Sequence, residues 1–181
     1  MPDRETWEYI NTFAPWLSAV GTLLAVVVSL YFSRRTSQVK ISLSAGYRIE
    51  IGPGYKEPYP QYIFIKAVNT GARDVKITGF GWRIGIFKKR YFYQVVDGIK
   101  MRSDMPIMLS FSEEASYLID LNIGDNWIKR FVKDEILPNR RLNMVSLRVY
   151  ASTSIGKTVY SKIENSLKKE LNEECDRQLN K

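Results

Sequence analysis

Few residues in this chain have the types and spacing that support catalysis. Its 181 residues include no histidine, which excludes His-based triads, His-metal sites and the most common general base. The single cysteine, Cys175, lies in a charged tail and cannot form a thiolate metal site alone. The carboxylate pairs Glu113-Glu114 and Asp134-Glu135 are sequence neighbours whose side chains point apart, so we interpret them as solvated charges. We therefore predict that the protein is not an enzyme and uses no cofactor or metal.

One segment matches a relaxed phosphate-binding pattern. Residues 151–158 read ASTSIGKT, with Ala151 in place of the first glycine. A phosphate-binding loop needs a helix after it, because the first N–H groups of that helix bind the phosphates. Residues 158–163 read TVYSKI, which is typical of a strand instead. We therefore interpret the segment as a hairpin turn.

The excess of basic residues is a stronger indication of function than the phosphate-binding pattern. From Arg34 to Ile163 there are 22 Lys and Arg against 11 Asp and Glu, a net charge of +11. Such a surface attracts anionic lipid, phosphate ligands or nucleic acid, although solvated surface charge is the simplest interpretation. The aromatic residues at positions 87 and 91–93 are of types that stack on bases, but such residues are more often core. The candidate lipid or phosphate contacts are Arg34, Arg35, Lys88, Lys89, Arg90, Arg140 and Arg141.

The segment that determines where all of these residues lie in the cell is an uncharged run from Tyr9 to Ser33. Its central twenty residues, Phe13 to Phe32, would form a helix long enough to cross the roughly 30 Å hydrocarbon core of a bilayer. The alternatives are a secretory signal peptide and a buried core helix. The start of the chain is not basic, the run is long, and Arg34-Arg35 follow it as a stop-transfer signal. We predict a transmembrane helix over 13–33 after a short extracytoplasmic segment over 1–12.

The flanking charges predict the orientation of this helix. Arg34, Arg35 and Lys40 follow the span, whereas only Arg4 and the terminal amine precede it, and cationic flanks stay in the cytoplasm. The N-terminus is therefore predicted outside the inner membrane of a prokaryote, with the rest of the chain in the cytoplasm. One cysteine allows no disulfide within the chain, in agreement with a reducing compartment. Pro15 is predicted in the first helical turn, where its missing N–H costs nothing.

Small residues recur along one side of the predicted span, at spacings of four, three, four and four. Small residues let membrane helices approach closely, so this side is a candidate surface for self-association. Alternatively, the pattern reflects only the general abundance of Ala, Gly and Ser in membrane helices. The candidate packing residues are Ala14, Ser18, Gly21, Ala25 and Ser29.

Residues 34–163 are predicted to form one cytosolic domain that is mainly β. From Val39 to Ile51 apolar and polar residues alternate, which is typical of a strand with one buried face. Further strands are predicted over 62–68, 75–87, 91–96, 115–121, 144–151 and 157–163, separated by turn residues. This pattern indicates an antiparallel β-sandwich or a small barrel.

Two helices accompany the strands. The first is predicted to begin after Asp125, to bury residues 127, 128, 131, 132 and 136, and to end at Leu137-Pro138-Asn139. The second is the tail over 164–181, whose apolar stripe at 163, 167, 171, 175 and 179 is one residue wide. That tail is interpreted as a helix docked loosely on the domain or, alternatively, as a helix that binds a partner or another copy.

One segment resembles part of a known fold. Val68-Asn69-Thr70-Gly71, followed by Val75-Lys76-Ile77 and an aromatic strand, resembles the strand-turn-strand of immunoglobulin-like sandwiches. The whole layout is similar to that of small bacterial membrane proteins with one N-terminal span and a cytosolic β domain. Some of these are effectors in antiviral defence operons, so the resemblance implies an immunoglobulin-like domain and a role as a membrane effector.

Two functions are compatible with these features. In the first, the β domain senses a ligand or partner, the spans oligomerise, and the assembly perturbs the bilayer. In the second, the protein is an adaptor that recruits a cytosolic partner to the membrane without perturbing it. The expected partners are the lipid bilayer, further copies of the chain, and a cytosolic protein or nucleotide-like ligand. Direct binding of nucleic acid is the least favoured of these.

Overall fold

The computed structural model describes residues 4–36, 38–54, 56–94, 105–121 and 126–180. The chain divides into two compact units, Met1–Gln38 and Val39–Lys181. The first unit contains the helix α1, Arg4–Thr36. The second, called the β domain below, contains antiparallel sheets and a C-terminal helix, so the mainly β prediction is confirmed.

The helix α1 contains the whole uncharged run. Within it, Asn11–Arg34 is long and apolar enough to cross a membrane, with a mean hydropathy of 1.9. Because α1 already begins at Arg4, Pro15 lies inside the helix. The prediction that Pro15 occupies the first turn was therefore wrong, and its missing N–H leaves the carbonyl of Asn11 without that helical bond.

The strands of the β domain form two antiparallel sheets. The first has the order β1-β2-β6, and Ala45, Ile65 and Tyr117 are aligned across it. The second has the order β4-β3-β7-β8, and β5 also pairs with β3. The strands are β1 Ile41–Ile49, β2 Gln61–Asn69, β3 Val75–Ile84, β4 Arg90–Tyr93, β5 Ile107–Leu109, β6 Glu114–Asp120, β7 Arg148–Thr153 and β8 Thr158–Lys162.

The buried side chains of both sheets belong to one apolar core. The Phe80 ring on β3 lies 4.6 Å from the Tyr117 ring on β6, so a residue of one sheet contacts a residue of the other. The alternation predicted for β1 is confirmed at Leu43 and Ala45, which are buried. It continues at Tyr47, which is partly buried against the core, and fails after it, because Ile49 is half exposed and Ile51 lies past the end of the strand.

The strand β3 differs from its prediction in two ways. A β-bulge between Ile77 and Gly79 changes which residues face inward, so Ile77 and Phe80 are both buried. The strand also ends at Ile84 and not at Phe87, because Gly85 adopts φ +101° and turns the chain. The Gly85 N–H donates to Ser146 Oγ at 2.9 Å, which fixes that turn.

The segment between β6 and β7 is more helical than predicted. The helix α2, Trp127–Phe131, is capped by Asn126, whose Oδ1 accepts from the N–H of Ile128 at 3.0 Å; Asp125 lies outside the described residues. The predicted buried face, at 127, 128, 131, 132 and 136, is confirmed. A π-helical turn, Val132–Ile136, and a 3₁₀ turn, Leu137–Asn139, then lead into the helix α3, Arg140–Ser146.

The prediction of a strand beginning at Met144 was therefore wrong, because Met144 lies in α3 and β7 begins at Arg148. The predicted end of the first helical segment at Leu137-Pro138-Asn139 is confirmed, because Asn139 leaves the helical conformation, with φ −148° and ψ 62°, before the separate helix α3 begins. Asn143 Nδ2 donates to the carbonyls of Glu135, at 2.8 Å, and Ile136, at 3.3 Å. A buried side chain thus satisfies carbonyls near the proline.

The C-terminal helix α4, Asn165–Leu179, belongs to the same compact unit as the strands. Its inward residues Leu167, Leu171 and Cys175 are completely buried, whereas Leu179 is mostly exposed. The chain entering α4 also binds the edge of β1, because the Glu164 N–H donates to the Ala45 carbonyl at 2.8 Å. Of the two interpretations of the tail, docking on the domain is therefore confirmed, but the helix is closely and not loosely packed.

Candidate functional site

The apolar surface of α1 is exposed along its described length. All described side chains from Asn11 to Arg34 are exposed, including Trp16 at 73% and Leu17 at 78%. The hydroxyls of Thr12 and Thr22 donate to the carbonyls one turn earlier, at 3.0 and 2.9 Å. These bonds satisfy polar groups inside the helix itself, as a helix in lipid requires.

The five small residues predicted for packing, Ala14, Ser18, Gly21, Ala25 and Ser29, lie on this exposed helix. Their spacing places them on one side, because four residues advance about 40° beyond a full turn and three fall about 60° short of one. A Cβ built on Gly21 meets nothing within 4 Å. A larger residue at this position therefore has room in the single chain, and self-association of α1 stays a prediction.

The seven predicted basic contacts do not all have the same environment. Arg34 and Arg35 lie in the last turn of α1, and Lys88 and Lys89 are exposed beside the turn between β3 and β4. The guanidinium of Arg90 pairs with the Glu135 carboxylate at 2.7 Å. That pair joins the start of β4 to the π-helical turn, so Arg90 has a role within the domain.

Arg140 and Arg141 differ sharply although they are adjacent. Arg140 Nη1 lies 2.6 Å from Asp176 Oδ1, and this hydrogen bond raises the pKa of Arg140 further above its usual value. The bond joins α3 to α4. Arg141 is exposed. Arg140 therefore already has an anionic partner inside the protein, whereas Arg141 remains a candidate contact for a lipid or phosphate group.

The segment that matched a phosphate-binding pattern is a hairpin turn, as interpreted. The Thr153 N–H donates to the Lys157 carbonyl at 3.0 Å, and the Gly156 N–H donates to the Thr153 carbonyl at 3.0 Å. The Lys157 ammonium donates to the Val39 carbonyl at 2.7 Å. The strand β8 follows in place of the helix that a phosphate-binding loop needs.

The docked face of α4 contains ionisable groups at its margin. Burial is the main cause that raises the pKa of Glu170, and the nearby Glu173 carboxylate raises it further. Burial and then Glu170 raise the pKa of Tyr47 in the same way. Burial also raises the pKa of the Cys175 thiol, which is completely enclosed. These shifts oppose ionisation and make Cys175 unsuited to nucleophilic chemistry.

The structure brings together a surface that the sequence analysis missed, on the side of the second sheet that faces away from the core. We call it the outer face; it is defined by two cross-strand rows. In the first, Arg83 lies opposite Tyr91 on one side and Arg148 on the other, and Arg148 lies opposite Lys162. In the second row, Gly81 lies between Tyr93 and Tyr150, and Tyr150 lies opposite Tyr160.

Two glycines make room for the tyrosine rings of the outer face. A Cβ on Gly79 would lie 2.5 Å from the Tyr93 ring, and a Cβ on Gly81 would lie 2.5 Å from the Tyr150 hydroxyl. Glycine at both positions therefore leaves the space that the Tyr93 and Tyr150 side chains occupy.

The tyrosines contact one another and an arginine. The Tyr150 ring centre lies 6.0 Å from that of Tyr91 and 6.1 Å from that of Tyr160, and the Arg83 guanidinium lies 5.2 Å from the Tyr160 centre. Burial is the main cause that raises the pKa values of Tyr150 and Tyr160, so both hydroxyls stay protonated near neutral pH. Tyr91 and Tyr93 are exposed, which corrects the view that the aromatics near Lys88 to Arg90 are mainly core.

A separate pocket of about 350 Å³ lies between the edge strand β4 and the helical segment. Trp127 and Phe131 stack in its wall, with ring centres 4.4 Å apart and planes inclined by 15°. Trp82 Nε1 donates to Gln94 Oε1 at 3.2 Å beside them. Among the residues that the structure describes, no three His, Cys, Asp or Glu side chains converge to hold a metal ion.

No protein-family model and no curated protein sequence matches the chain. Two crystal structures are distantly similar to it. One is a putative ApaA protein from Bordetella pertussis, with 12% identity and a TM-score of 0.32, and the match covers 70% of this chain and 89% of that protein. The other is a structural-genomics target, with 11% identity and a TM-score of 0.28 over 71% of this chain and 84% of the target. At this level the similarity carries no functional argument.

Proposed function

We propose that the chain is a single-pass protein of the inner membrane, with α1 as its span, the N-terminus outside and the β domain in the cytoplasm. The observation that carries this proposal is the exposure of the apolar side chains of Asn11–Arg34. Apolar surface in water costs about 25 cal/mol per Å², and a bilayer removes that cost. The cations Arg34 and Arg35 after the span support the orientation.

The exposure of α1 also bears on the two alternatives for this segment. A core helix of a soluble protein is mostly buried, whereas none of the apolar stretch of α1 is buried. A signal peptide has an apolar part of about 7–15 residues, which is shorter than the 24 residues of Asn11–Arg34. Length and exposure together favour a stable span.

Within this location the β domain acts as a non-enzymatic ligand-binding module, and the spans associate through their small residues. Contact between Phe80 and Tyr117 across the two sheets supports an immunoglobulin-like sandwich as the architecture of the module. In this effector hypothesis, a bound ligand changes how the spans pack and so perturbs the bilayer. The supporting features are the outer face and the exposed side of α1.

The adaptor hypothesis has less support than the sequence alone indicated. It relied on the tail helix and on the edges of the sandwich as surfaces for a partner. The apolar side of α4 is instead buried against the domain, through Leu167, Leu171 and Cys175. A partner would have to bind elsewhere, so ligand binding coupled to the spans is the function we favour.

Membrane extraction with sodium carbonate tests the proposed location. The full chain should remain with the membranes, whereas Leu24→Lys should move a large fraction into the supernatant. A lysine at the centre of a span costs about 2.5–3.5 kcal/mol. Leu24→Ile is the matched control and should behave as the unchanged protein does. Complete carbonate extraction of the unchanged chain would contradict a membrane span.

A further inference from the structure

We propose that the outer face of the second sheet binds a nucleotide, with its base on Tyr93 and its phosphate on the row of Arg83, Arg148 and Lys162. This inference rests on the ligand-binding role proposed above and names the class of ligand. The site differs from the basic residues at 88–90 and 140–141 that the sequence singled out. It requires both an aromatic surface and an adjacent group of cations.

The cations are aligned without an acidic neighbour in their row. Arg83 and Arg148 are direct cross-strand partners, as are Arg148 and Lys162. The Cβ atoms of opposed residues on neighbouring strands lie about 4.5–5.5 Å apart, and like charges directly opposite each other destabilise a sheet. The two rows of the outer face contain only Arg, Lys, Tyr and Gly. A bound anion would therefore relieve a repulsion that the described residues of these rows do not relieve.

The protein only partly satisfies these cations. Arg148 Nη1 donates to the carbonyls of Val145 and Leu147, each at 2.8 Å. The Arg83 guanidinium lies over the Tyr160 ring, and its buried Nε has no hydrogen-bond partner. Lys162 is exposed at the end of β8. Backbone contacts thus hold Arg148 in place, and an aromatic contact holds Arg83 in place. Both residues have N–H donors of the kind that bind phosphate.

The aromatic part of the site is equally well defined. The Tyr93 ring lies against the backbone at Gly79, yet the residue is 63% exposed, so the ring presents its other side to solvent. Tyr91 and Tyr160 are also exposed nearby, at 53% and 41%. The tyrosine row and the cation row are two residues apart along the strands, which is about 6.6 Å. Tyr93 and Arg83 also lie on neighbouring strands, which are about 4.8 Å apart, so one small ligand can contact both, and a longer phosphate chain extends toward Arg148 and Lys162.

The combination distinguishes a nucleotide from a simple anion. Inorganic phosphate and lipid headgroups need cations but no flat aromatic surface. A nucleic-acid base stacks on an aromatic ring while its phosphate binds Arg or Lys, on β-sheet surfaces among others. The base–phosphate unit occurs both in free nucleotides and in single-stranded nucleic acid, so the test must separate these two sources.

The test uses the full chain in detergent micelles, with binding measured by calorimetry and by fluorescence anisotropy. The probes are pyrophosphate, the four ribonucleoside triphosphates, and fluorescent single-stranded oligothymidylate and oligouridylate. We expect at least one base-bearing probe to bind more tightly than pyrophosphate does. Preference for a triphosphate indicates a free nucleotide as the ligand, whereas preference for a strand indicates nucleic acid.

Three variants locate the binding site. Tyr93→Leu keeps the cover over Gly79 but removes the aromatic face, and should weaken binding at least about fivefold, the lower bound for one stacked base. Lys162→Gln should weaken binding of a strand and reduce its dependence on log salt concentration by about 0.7. Lys76→Gln is the matched control, because Lys76 is an exposed cation near the other end of β3, and it should bind normally.

Several results would overturn the proposal: no binding of any base-bearing probe at millimolar concentration, equal binding of pyrophosphate, or equal weakening by Lys76→Gln. Competition by vesicles of anionic phosphatidylglycerol that depends on Lys162 and not on Tyr93 would assign the surface to lipid. Circular dichroism confirms that each variant is folded. Carbonate extraction is independent of these measurements, so failure of the ligand site and failure of the proposed membrane location are distinguishable.

Discussion

The helix α1 and the β domain place the same types of side chain in opposite environments. On α1, leucine, valine and aromatic residues are exposed, as at Trp16 and Leu17. In the β domain, Ile63 and Ile65 on one strand are both completely buried. The domain satisfies its own apolar surface, whereas α1 requires another environment to do so. The difference motivates our proposal that the β domain folds by itself and that α1 determines location and assembly.

The largest expected effect is on the stability of the domain. Phe80→Ala removes a ring that is 1% exposed and contacts Tyr117 of the other sheet, and should lower the free energy of unfolding by about 3–5 kcal/mol. Leu24→Ala on α1 is the comparison and should leave unfolding of the domain unchanged. Denaturant titration in detergent, followed by tryptophan fluorescence, measures both. Equal destabilisation by the two variants would show that the stability of the domain also depends on α1.

The next effect concerns assembly of the spans. Gly21→Leu should convert associated chains to monomers, because the larger side chain blocks the close approach that small residues allow. Within the chain a Cβ at this position meets nothing within 4 Å, so loss of association cannot be attributed to strain in the monomer. Val27→Leu, on the opposite side of the helix, is the control. Chemical cross-linking in membranes that gives the same dimer fraction for both variants would exclude the small-residue side as the interface.

A smaller effect distinguishes a cation that stabilises the fold, Arg140, from an exposed one that can bind a ligand, Arg141. Arg140→Gln removes the 2.6 Å contact with Asp176 and should lower domain stability by about 0.5–1 kcal/mol, as for a surface ion pair. Arg141→Gln changes the adjacent, exposed residue and should have no effect on stability. Thermal unfolding compares the two. If Arg141→Gln proves the more destabilising variant, the assignment of Arg140 as the structural residue is incorrect.

The smallest effect concerns Glu170, which lies at the edge of the buried face of α4. Because burial and Glu173 raise the pKa of Glu170, the folded protein holds that proton more tightly than the unfolded chain does. Stability from this group is therefore present at low pH and is lost as pH rises through the folded pKa. Glu170→Gln should raise the melting temperature by about 1–2 °C at neutral pH and by nothing below about pH 4. A gain that is independent of pH would show that ionisation of Glu170 is not its cause.

The two regions also differ in how much of them could be predicted from sequence. The extent of the uncharged run indicates α1, and period-two alternation indicates β1, β2 and β6. The three-residue strand β5 is too short to show an alternation. The helix α3 was missed because it is only seven residues long and its last residues, from Met144, run directly into the apolar pattern of β7. The role of Asn143, whose side chain satisfies carbonyls near Pro138, is recognised only when the packing is known.

The outer face, too, could be predicted only in part from the sequence. Gly79, Gly81 and Arg83 follow the period of β3, and Tyr91 and Tyr93 follow that of β4, so each strand contains part of the signal. The buried residues Ile77 and Phe80 are three apart, a change of phase that indicates the bulge. Sequence alone does not give the pairing of β3 with β7, nor of β7 with β8. Only that pairing brings Arg83, Arg148 and Lys162 into one row.

Thiol labelling in cells determines whether α1 spans the membrane with the β domain in the cytoplasm. The native Cys175 is completely buried and gives little background, so single cysteines can be introduced as Asp3→Cys and Lys88→Cys. We expect a membrane-impermeant maleimide, applied to cells with a permeable outer envelope, to label Asp3→Cys while the inner membrane is intact. Lys88→Cys should be labelled only after that membrane is opened. Labelling of both positions only after opening, or labelling in the reverse order, would contradict this topology.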